Sequence, residues 1–168
     1  MGRAGMKVGD NEHTIKNDML QVGTKAPDFT LIANDLSSKT LADYDGKVKV
    51  ISCIPSIDTR VCAAQTRRFN EEASKLSDTV VLTVSADAPF ALKRFCGNEG
   101  IDNTGTLTTV RDMKCADDYG VHDVDWRVTQ RAVFVIDKDN IVQYAEYVPV
   151  IGDDINFIAV LAKAQDLV

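Results

Sequence analysis

The run VKVISCI at residues 48–54 constrains the fold more than any other stretch of the chain. Its β-branched residues Val48, Val50, Ile51 and Ile54 lack the apolar–polar alternation of a half-exposed strand. A β-branched run without helical signals reads as a central strand of a sheet. Pro55 ends it. A second such run, TVVLTVSA at residues 79–86, follows a helix predicted over residues 60–76. Two buried strands joined through a helix make a parallel β-α-β unit.

Around this unit the pattern is mixed. Residues 6–16, MKVGDNEHTIK, read as a hairpin turning at Gly9-Asp10-Asn11. Residues 27–32 set Phe29 and Leu31 against Asp28 and Thr30, as a half-buried strand does. The helix over residues 60–76 has a loose apolar stripe, Val61, Ala64, Phe69, Ala73 and Leu76, with Asp58 or Thr59 as its N-cap. A helix is expected over residues 89–95, stopped by Gly97, then a short strand over 107–110 and a short helix over 112–119, stopped by Gly120. Residues 131–137 and 141–147 flank Lys138-Asp139-Asn140 as a second hairpin. Residues 153–167 close the chain as an amphipathic helix with Ile155, Ile158, Leu161 and Ala162 on one face. Such an order specifies an α/β fold, a mixed central sheet flanked by helices and preceded by an N-terminal β-hairpin. No linker, repeat or compositional shift divides it, so one domain is expected over residues 1–168, with residues 1–5 a disordered extension.

Several function classes are excluded. With 19 basic against 25 acidic residues the net charge is −6, and an acidic surface repels phosphate backbones, so no nucleic-acid partner is expected. No apolar run reaches the ~20 residues of a membrane helix. The N-terminus MGRAGMKVGD lacks the apolar core of a secretory signal, and Met6 stands where myristoylation wants Ser or Thr, so the chain reads as cytoplasmic. There is no dinucleotide fingerprint, P-loop or serine elbow. Four cysteines, Cys53, Cys62, Cys96 and Cys115, are spaced 9, 34 and 19 residues apart, and His13 and His122 lie far from each other in sequence. That spacing lacks the close pairs of a structural zinc site, and no metal is expected. Each thiol is either inert core or reactive.

Cys62 sits just inside the helix that follows the central strand. Free backbone N–H groups and the helix dipole favour an anion there, which makes Cys62 a thiolate candidate by position; the same position also suits a small core residue. Its surroundings carry more. Residues 55–62, PSIDTRVC, fit P-x-x-x-T-x-x-C, which resembles the peroxidatic-cysteine motif of the peroxiredoxins. The continuation Arg67-Arg68-Phe69-Asn70 is similar to the thiol peroxidase branch, the atypical two-cysteine peroxiredoxins. So are Ser85-Ala86-Asp87, the stretch RFCGNEG at residues 94–100, Tyr119-Gly120-Val121 and Arg131-Ala132-Val133. The resemblance runs from Val22 to the C-terminus.

The resemblance implies a thioredoxin-like fold and a thiol-dependent reduction of hydrogen peroxide and organic hydroperoxides, with no cofactor. Cys62 would attack the peroxide as a thiolate and become a sulfenic acid. Thr59, one helical turn earlier, would hold a peroxide oxygen, or serve only as the N-cap. Pro55 would shield the sulfur. Arg131 would stabilise the thiolate and the charge developing on the leaving oxygen, against the alternative of a surface ion pair. Cys96 would resolve the sulfenic acid into a Cys62–Cys96 disulfide, with local unwinding near Thr59 and Cys96-Gly97. Cys115, expected on the surface or half buried, is its rival, and Cys53 is expected as inert core. Thioredoxin would reduce the disulfide, and the protein would be a homodimer packed around the active-site side. Two departures stand out: Arg60 replaces a small residue, and residues 122–130, with Trp126 bordering the pocket or packing the loop, are shorter than usual. Other branches fit less well, since Arg67 stands where one of them has a second cysteine and the chain ends in AKAQDLV rather than a Val-Cys-Pro segment. A non-enzymatic redox sensor or binding module on the same fold is the alternative from a different class.

Overall fold

Strand alternation decides which side chains meet in the core. The computed structural model describes residues 2–73, 75–101 and 104–168. Its larger sheet is built on β5 (Val48–Cys53), all six residues of which are buried, as an apolar run covered on both faces must be. β5 pairs in parallel with β6 (Thr79–Ser85), and β6 with β7 (Thr104–Thr108). On the other side β10 (Ala132–Ile136) lies antiparallel to β5 and is flanked by β11 (Val142–Tyr147). With β3 (Thr30–Ala33) and β4 (Ser38–Thr40) the order is β11-β10-β5-β6-β7-β3-β4, the expected mixed sheet.

The two faces of the sheet carry different cores. Val48, Val50, Val81, Val133 and Val135 pack with Phe69 of α1 (Arg60–Ala73) and with Phe157, Val160 and Ala164 of α4 (Phe157–Asp166). Ile51, Cys53, Leu82, Val84, Ala132 and Phe134 face the opposite way, onto Met113 and onto Cys115 and Ala116 of the short helix α3 (Lys114–Asp118). Lys49 is buried on that second face, and its Nζ reaches Asn140 Oδ1 at 2.6 Å in the turn between β10 and β11. Burial pulls its pKa down while nearby aspartates oppose the shift.

A second sheet was not anticipated. β1 (Gly2–Val8) and β2 (Asn11–Lys16) form the N-terminal hairpin, and β8 (His122–Asp123) and β9 (Val128–Thr129) extend it in the order β1-β2-β8-β9. Residues 2–5 are therefore strand rather than a disordered extension; Met1 lies outside the described residues. The strand is held by partners far along the chain: Arg3 Nη2 donates to the Gly120 carbonyl at 2.8 Å, and Gln130 Nε2 donates to the Gly5 carbonyl.

Several other boundaries shift for physical reasons. α2 (Pro89–Glu99) runs through Gly97 and stops at Gly100, which takes a left-handed φ of 65° and closes the helix with its N–H on the Cys96 carbonyl. Gly97 is a tolerated helix glycine; Gly100 is the cap. α1 ends at Ala73, so Leu76 lies beyond it, while Ser74 and the side chain of Ala73 lie outside the described residues. Ala64 is exposed, and the buried stripe of α1 is instead Cys62, Gln65, Thr66 and Phe69, whose polar members hid it from a hydrophobicity pattern. The strand expected over residues 107–110 begins at Thr104, and α4 begins only at Phe157. Ile158 is 78% exposed and Ala162 is exposed too; the buried face is Phe157, Val160 and Ala164. Among the described residues no helix is long and apolar enough to cross a membrane.

Gly120 joins the two halves of this architecture. Its φ is +67°, and a Cβ there would lie 2.1 Å from the Asp18 carbonyl oxygen, a backbone atom that cannot swing away. Gly120→Ala is expected to destabilise the fold by about 1–3 kcal/mol through strain at a left-handed position, and more if the Asp18 segment is displaced. Denaturant unfolding checks this; Gly97→Ala, where a Cβ meets nothing within 4 Å, serves as the benign comparison.

Candidate active site

β5 delivers the chain at its C-terminal end into the turn Ile54–Thr59, which opens α1. Asp87, just after β6, braces this turn: its carboxylate accepts from Ser56 Oγ at 3.0 Å, the Ile57 amide at 2.8 Å and Ser85 Oγ at 2.8 Å. Pro55 and Ile57 are buried beneath it. Thr129 Oγ1 donates to the Ile54 carbonyl from the other side. Thr59 is the N-cap: its Oγ1 accepts from the Cys62 amide at 3.2 Å while the hydroxyl lies 3.3 Å from the Ser56 carbonyl.

Cys62 is thereby set in the first turn of α1 with its side chain inward and 0% of the residue exposed. Arg131 meets it there. β10 runs antiparallel to β5 with Ala132 opposite Cys53, so the residue before Ala132 sits opposite Ile54, at the mouth of the turn. Alternation along β10 puts Arg131 on the face of Val133 and Val135, the face covered by α1. The guanidinium is 1% exposed. Nη2 donates to Cys62 Sγ at 3.3 Å and to the Ile151 carbonyl at 3.0 Å, and Nη1 donates to Gln65 Oε1 at 2.7 Å. Nε has no hydrogen-bond partner among the described residues. It shares one edge of the planar fork with Nη2, so an unused donor points along the sulfur side of the group.

Gln65 is a site residue that sequence reasoning missed. It lies three residues after Cys62 on the same helix face, fully buried, and its Nε2 donates to Ser52 Oγ at 2.6 Å. It thus fixes the guanidinium to the floor of the sheet. A glutamine at helical spacing from a reactive cysteine was the available signal. Asp87 was quoted only as part of a motif, and its role in shaping the turn appears only in three dimensions.

The remaining cysteines separate cleanly. Cys96, in α2, is half exposed, with Sγ 3.5 Å from Thr106 Oγ1. Leu92, one turn earlier, packs with Ile54, Ile57 and Cys62, so α2 lies beside the start of α1. All four thiols are free. Cys115 is buried, not superficial, and sits with Cys53 in the core on the far face of the sheet from α1. Burial pushes the Cys53 thiol up to about 12 and raises Cys115 well above its ordinary value, so both stay protonated. Arg60 is exposed at the start of α1. Trp126 packs edge-on against His13 at 4.9 Å. His13, Asp123 and Asp125 are the group among the described residues with metal-like proximity. Their atoms are already used: Asp123 Oδ2 meets His13 Nδ1 at 2.6 Å, its Oδ1 takes the Asp125 amide, and Asp125 takes the Thr14 amide. The group ties β2 to the loop between β8 and β9.

A buried thiol in the first turn of a helix, facing a buried guanidinium, is built to carry negative charge at sulfur. The Redoxin family profile matches residues 21–161. A thiol peroxidase from Streptococcus pneumoniae is 52% identical over 157 residues, covering 94% of this chain and 96% of its own. One from Bacillus subtilis is 50% identical over 155 residues, covering 92% and 93%. A solved peroxiredoxin-like protein from Aquifex aeolicus superposes with a TM-score of 0.92 at 33% identity, covering 99% of both chains. A thiol peroxidase from Chromobacterium violaceum has a TM-score of 0.89 at 22% identity over 99% and 98%, a likeness of fold. Matched over most of its length and half identical to relatives aligned almost end to end, the chain belongs to the redoxin family, in its thiol peroxidase branch.

Proposed function

We propose that the protein is a thiol-dependent peroxidase that reduces hydrogen peroxide and organic hydroperoxides through Cys62. The contact between Arg131 Nη2 and Cys62 Sγ carries the reading. A guanidinium at hydrogen-bond distance and the helix N-terminus both favour the thiolate, the form that attacks. The sulfur lone pair forms an S–O bond with one peroxide oxygen while the O–O bond breaks. Cys62 becomes a sulfenic acid, and the other oxygen leaves as alkoxide or hydroxide and takes up a proton. The unpartnered Arg131 Nε is the donor in place for that developing charge. Thr59 keeps its capping bond and turns its hydroxyl proton, loosely engaged at 3.3 Å, to the bound peroxide. Pro55 and the Asp87-braced turn limit water around the sulfur.

Cys96 is the resolving residue in this reading. It is the accessible thiol on the helix beside Cys62, whereas Cys115 lies across the sheet. The Cys62–Cys96 disulfide is returned to two thiols by a thioredoxin-type dithiol, and the working unit is a homodimer. Family membership supports the hydroperoxide substrate and the thiol reductant.

Cys62→Ser is expected to abolish peroxide turnover with a dithiol donor while the circular dichroism stays native, since serine is a far weaker nucleophile at neutral pH. Near-normal turnover would overturn the assignment. A protein that oxidises once but does not cycle in the wild-type form would point to the sensor alternative.

Arg131→Met keeps the aliphatic bulk and removes the donors. Oxidation of the reduced protein, followed by stopped flow, is expected to slow by roughly 100- to 1000-fold, the range for losing one preorganised donor to developing charge.

Thiol mapping separates the four cysteines. In the native protein at pH 8, Cys96 is expected to be alkylated well before Cys53 and Cys115, whose burial keeps them protonated and inaccessible; those two should label only on unfolding. Mass spectrometry after short exposure to iodoacetamide gives the order.

A further inference from the structure

Cys96 occupies the last turn of α2, and its carbonyl receives the bonds that close the helix, from the Gly100 N–H and from the Ile101 N–H at 3.0 Å. Its sulfur is turned toward the sheet, 3.5 Å from Thr106 Oγ1. Thr106 lies on β7, 3% exposed, in register with Thr83 and through it with Ser52. Asn34, just after β3, donates from Nδ2 to Thr106 Oγ1 at 2.9 Å. With the Thr106 oxygen accepting from Asn34, its one proton is free to donate to the Cys96 sulfur, and its second lone pair can accept from the Cys96 S–H.

Cys62 is held in another part of the site, on Arg131. Arg131 enters from the end of β10, and β10 is separated from β7 by β5 and β6. Both thiols are free, and the Cys96 sulfur has to leave Thr106 before a bond of about 2 Å to Cys62 can form. Cys62 is fully buried under Arg131, whereas Cys96 is half exposed in a final turn that ends on a glycine. Cys96 therefore has to leave β7, alongside any unwinding of the first turn of α1.

We propose that Thr106, backed by Asn34, is a positioning residue for the resolving step: it latches the Cys96 sulfur against β7 in the resting enzyme and releases it when Cys96 swings out to attack. The inference rests on the reading of Cys96 as the resolving cysteine. In that step the Cys96 sulfur forms the S–S bond with Cys62, the S–O bond of the sulfenic acid breaks, and the departing hydroxide leaves as water with the Cys96 proton. The latch bond exists before the movement and is lost during it, so it slows resolution by the amount that it stabilises the docked turn. It therefore lengthens the life of the sulfenic acid, during which a second peroxide can oxidise it to sulfinic acid.

The test is quenched-flow oxidation of the fully reduced protein by one equivalent of peroxide, with disulfide formation read by mass spectrometry. Thr106→Val keeps the β-branched shape and removes the hydroxyl. It is expected to speed disulfide formation about two- to fivefold, the worth of one modest hydrogen bond, while the second-order oxidation of Cys62 is unchanged. Thr106→Ser, which restores the donor, is expected at the wild-type rate, and Asn34→Ala between the two. Sulfinic acid formed under excess peroxide is expected to fall in Thr106→Val. A wild-type or slower rate in Thr106→Val overturns the latch. So does an equal acceleration in Thr106→Ser, which would mean general loosening of β7. Cys96→Ser distinguishes the underlying reading: if that variant still forms a disulfide to Cys62, the assignment of Cys96 falls, and the latch with it. If Cys96→Ser abolishes the disulfide and Thr106→Val behaves as wild type, only the latch falls.

Discussion

The antiparallel pairing of β10 on β5 is the constraint on which the site depends. It places Ala132 opposite Cys53 and so brings the residue before it to the end of β5, where the chain turns into α1. Side chains alternate along a strand, so a slip of one residue would turn Arg131 away from Cys62 and into the core beside Phe134. The same register sets Val133 against Ser52, and Ser52 is the anchor of Gln65. The Cys62 sulfur, the guanidinium and the glutamine are thus positioned together by one strand pairing.

Keeping an arginine at 1% exposure is costly unless its donors are used. Here Gln65, the Ile151 carbonyl and the Cys62 sulfur take three of its bonds, and Nε alone is left over among the described residues. A buried polar group that lacks one partner is where a transient charge gains most from binding. The smaller sheet supports the arrangement from behind. Gln130, next to Arg131, donates to the Gly5 and Val148 carbonyls, and the Arg131 carbonyl accepts from the Val148 amide. Residues 2–5, expected as part of a disordered extension, therefore help to hold the segment that bears the arginine.

Rigidity and mobility are divided between the two helices. α1 is tied at its start by the Thr59 cap, the Asp87-braced turn and Arg131. The α2 turn around Cys96 is tied by the Thr106 contact, by Leu92 and Phe95 packed on Ile54 and Ile57, and by exposed groups: Arg94 lies 3.6 Å from Asp58, and Arg67 pairs with Glu99 at 2.9 Å. Exposed ion pairs of this kind contribute only ~0.2–1 kcal/mol each.

Much of this was legible in the residues. The β-branched runs at 48–54 and 79–86 announced the central parallel pair, because they lack the apolar–polar alternation of a strand with one wet face. Cys62 in the first helical turn followed from local chemistry and is present as read, and of the two N-cap candidates, Asp58 and Thr59, it is Thr59 that caps. The burial of Cys115, the exposure of Ile158 and Ala64, and the strand at residues 2–5 were not legible, since each depends on which surface another element covers. Gln65 and Ser52 escaped notice because burying polar side chains is favourable only when their partners, distant in sequence, are in place. The central strands, the start of α1 and the residue types able to do thiol chemistry could be read from the residues, because these follow from contacts within a few residues. That Arg131 reaches Cys62 across 69 residues of chain, and that the Cys96 sulfur lies against Thr106, depends on the register and sheet order that bring those groups together.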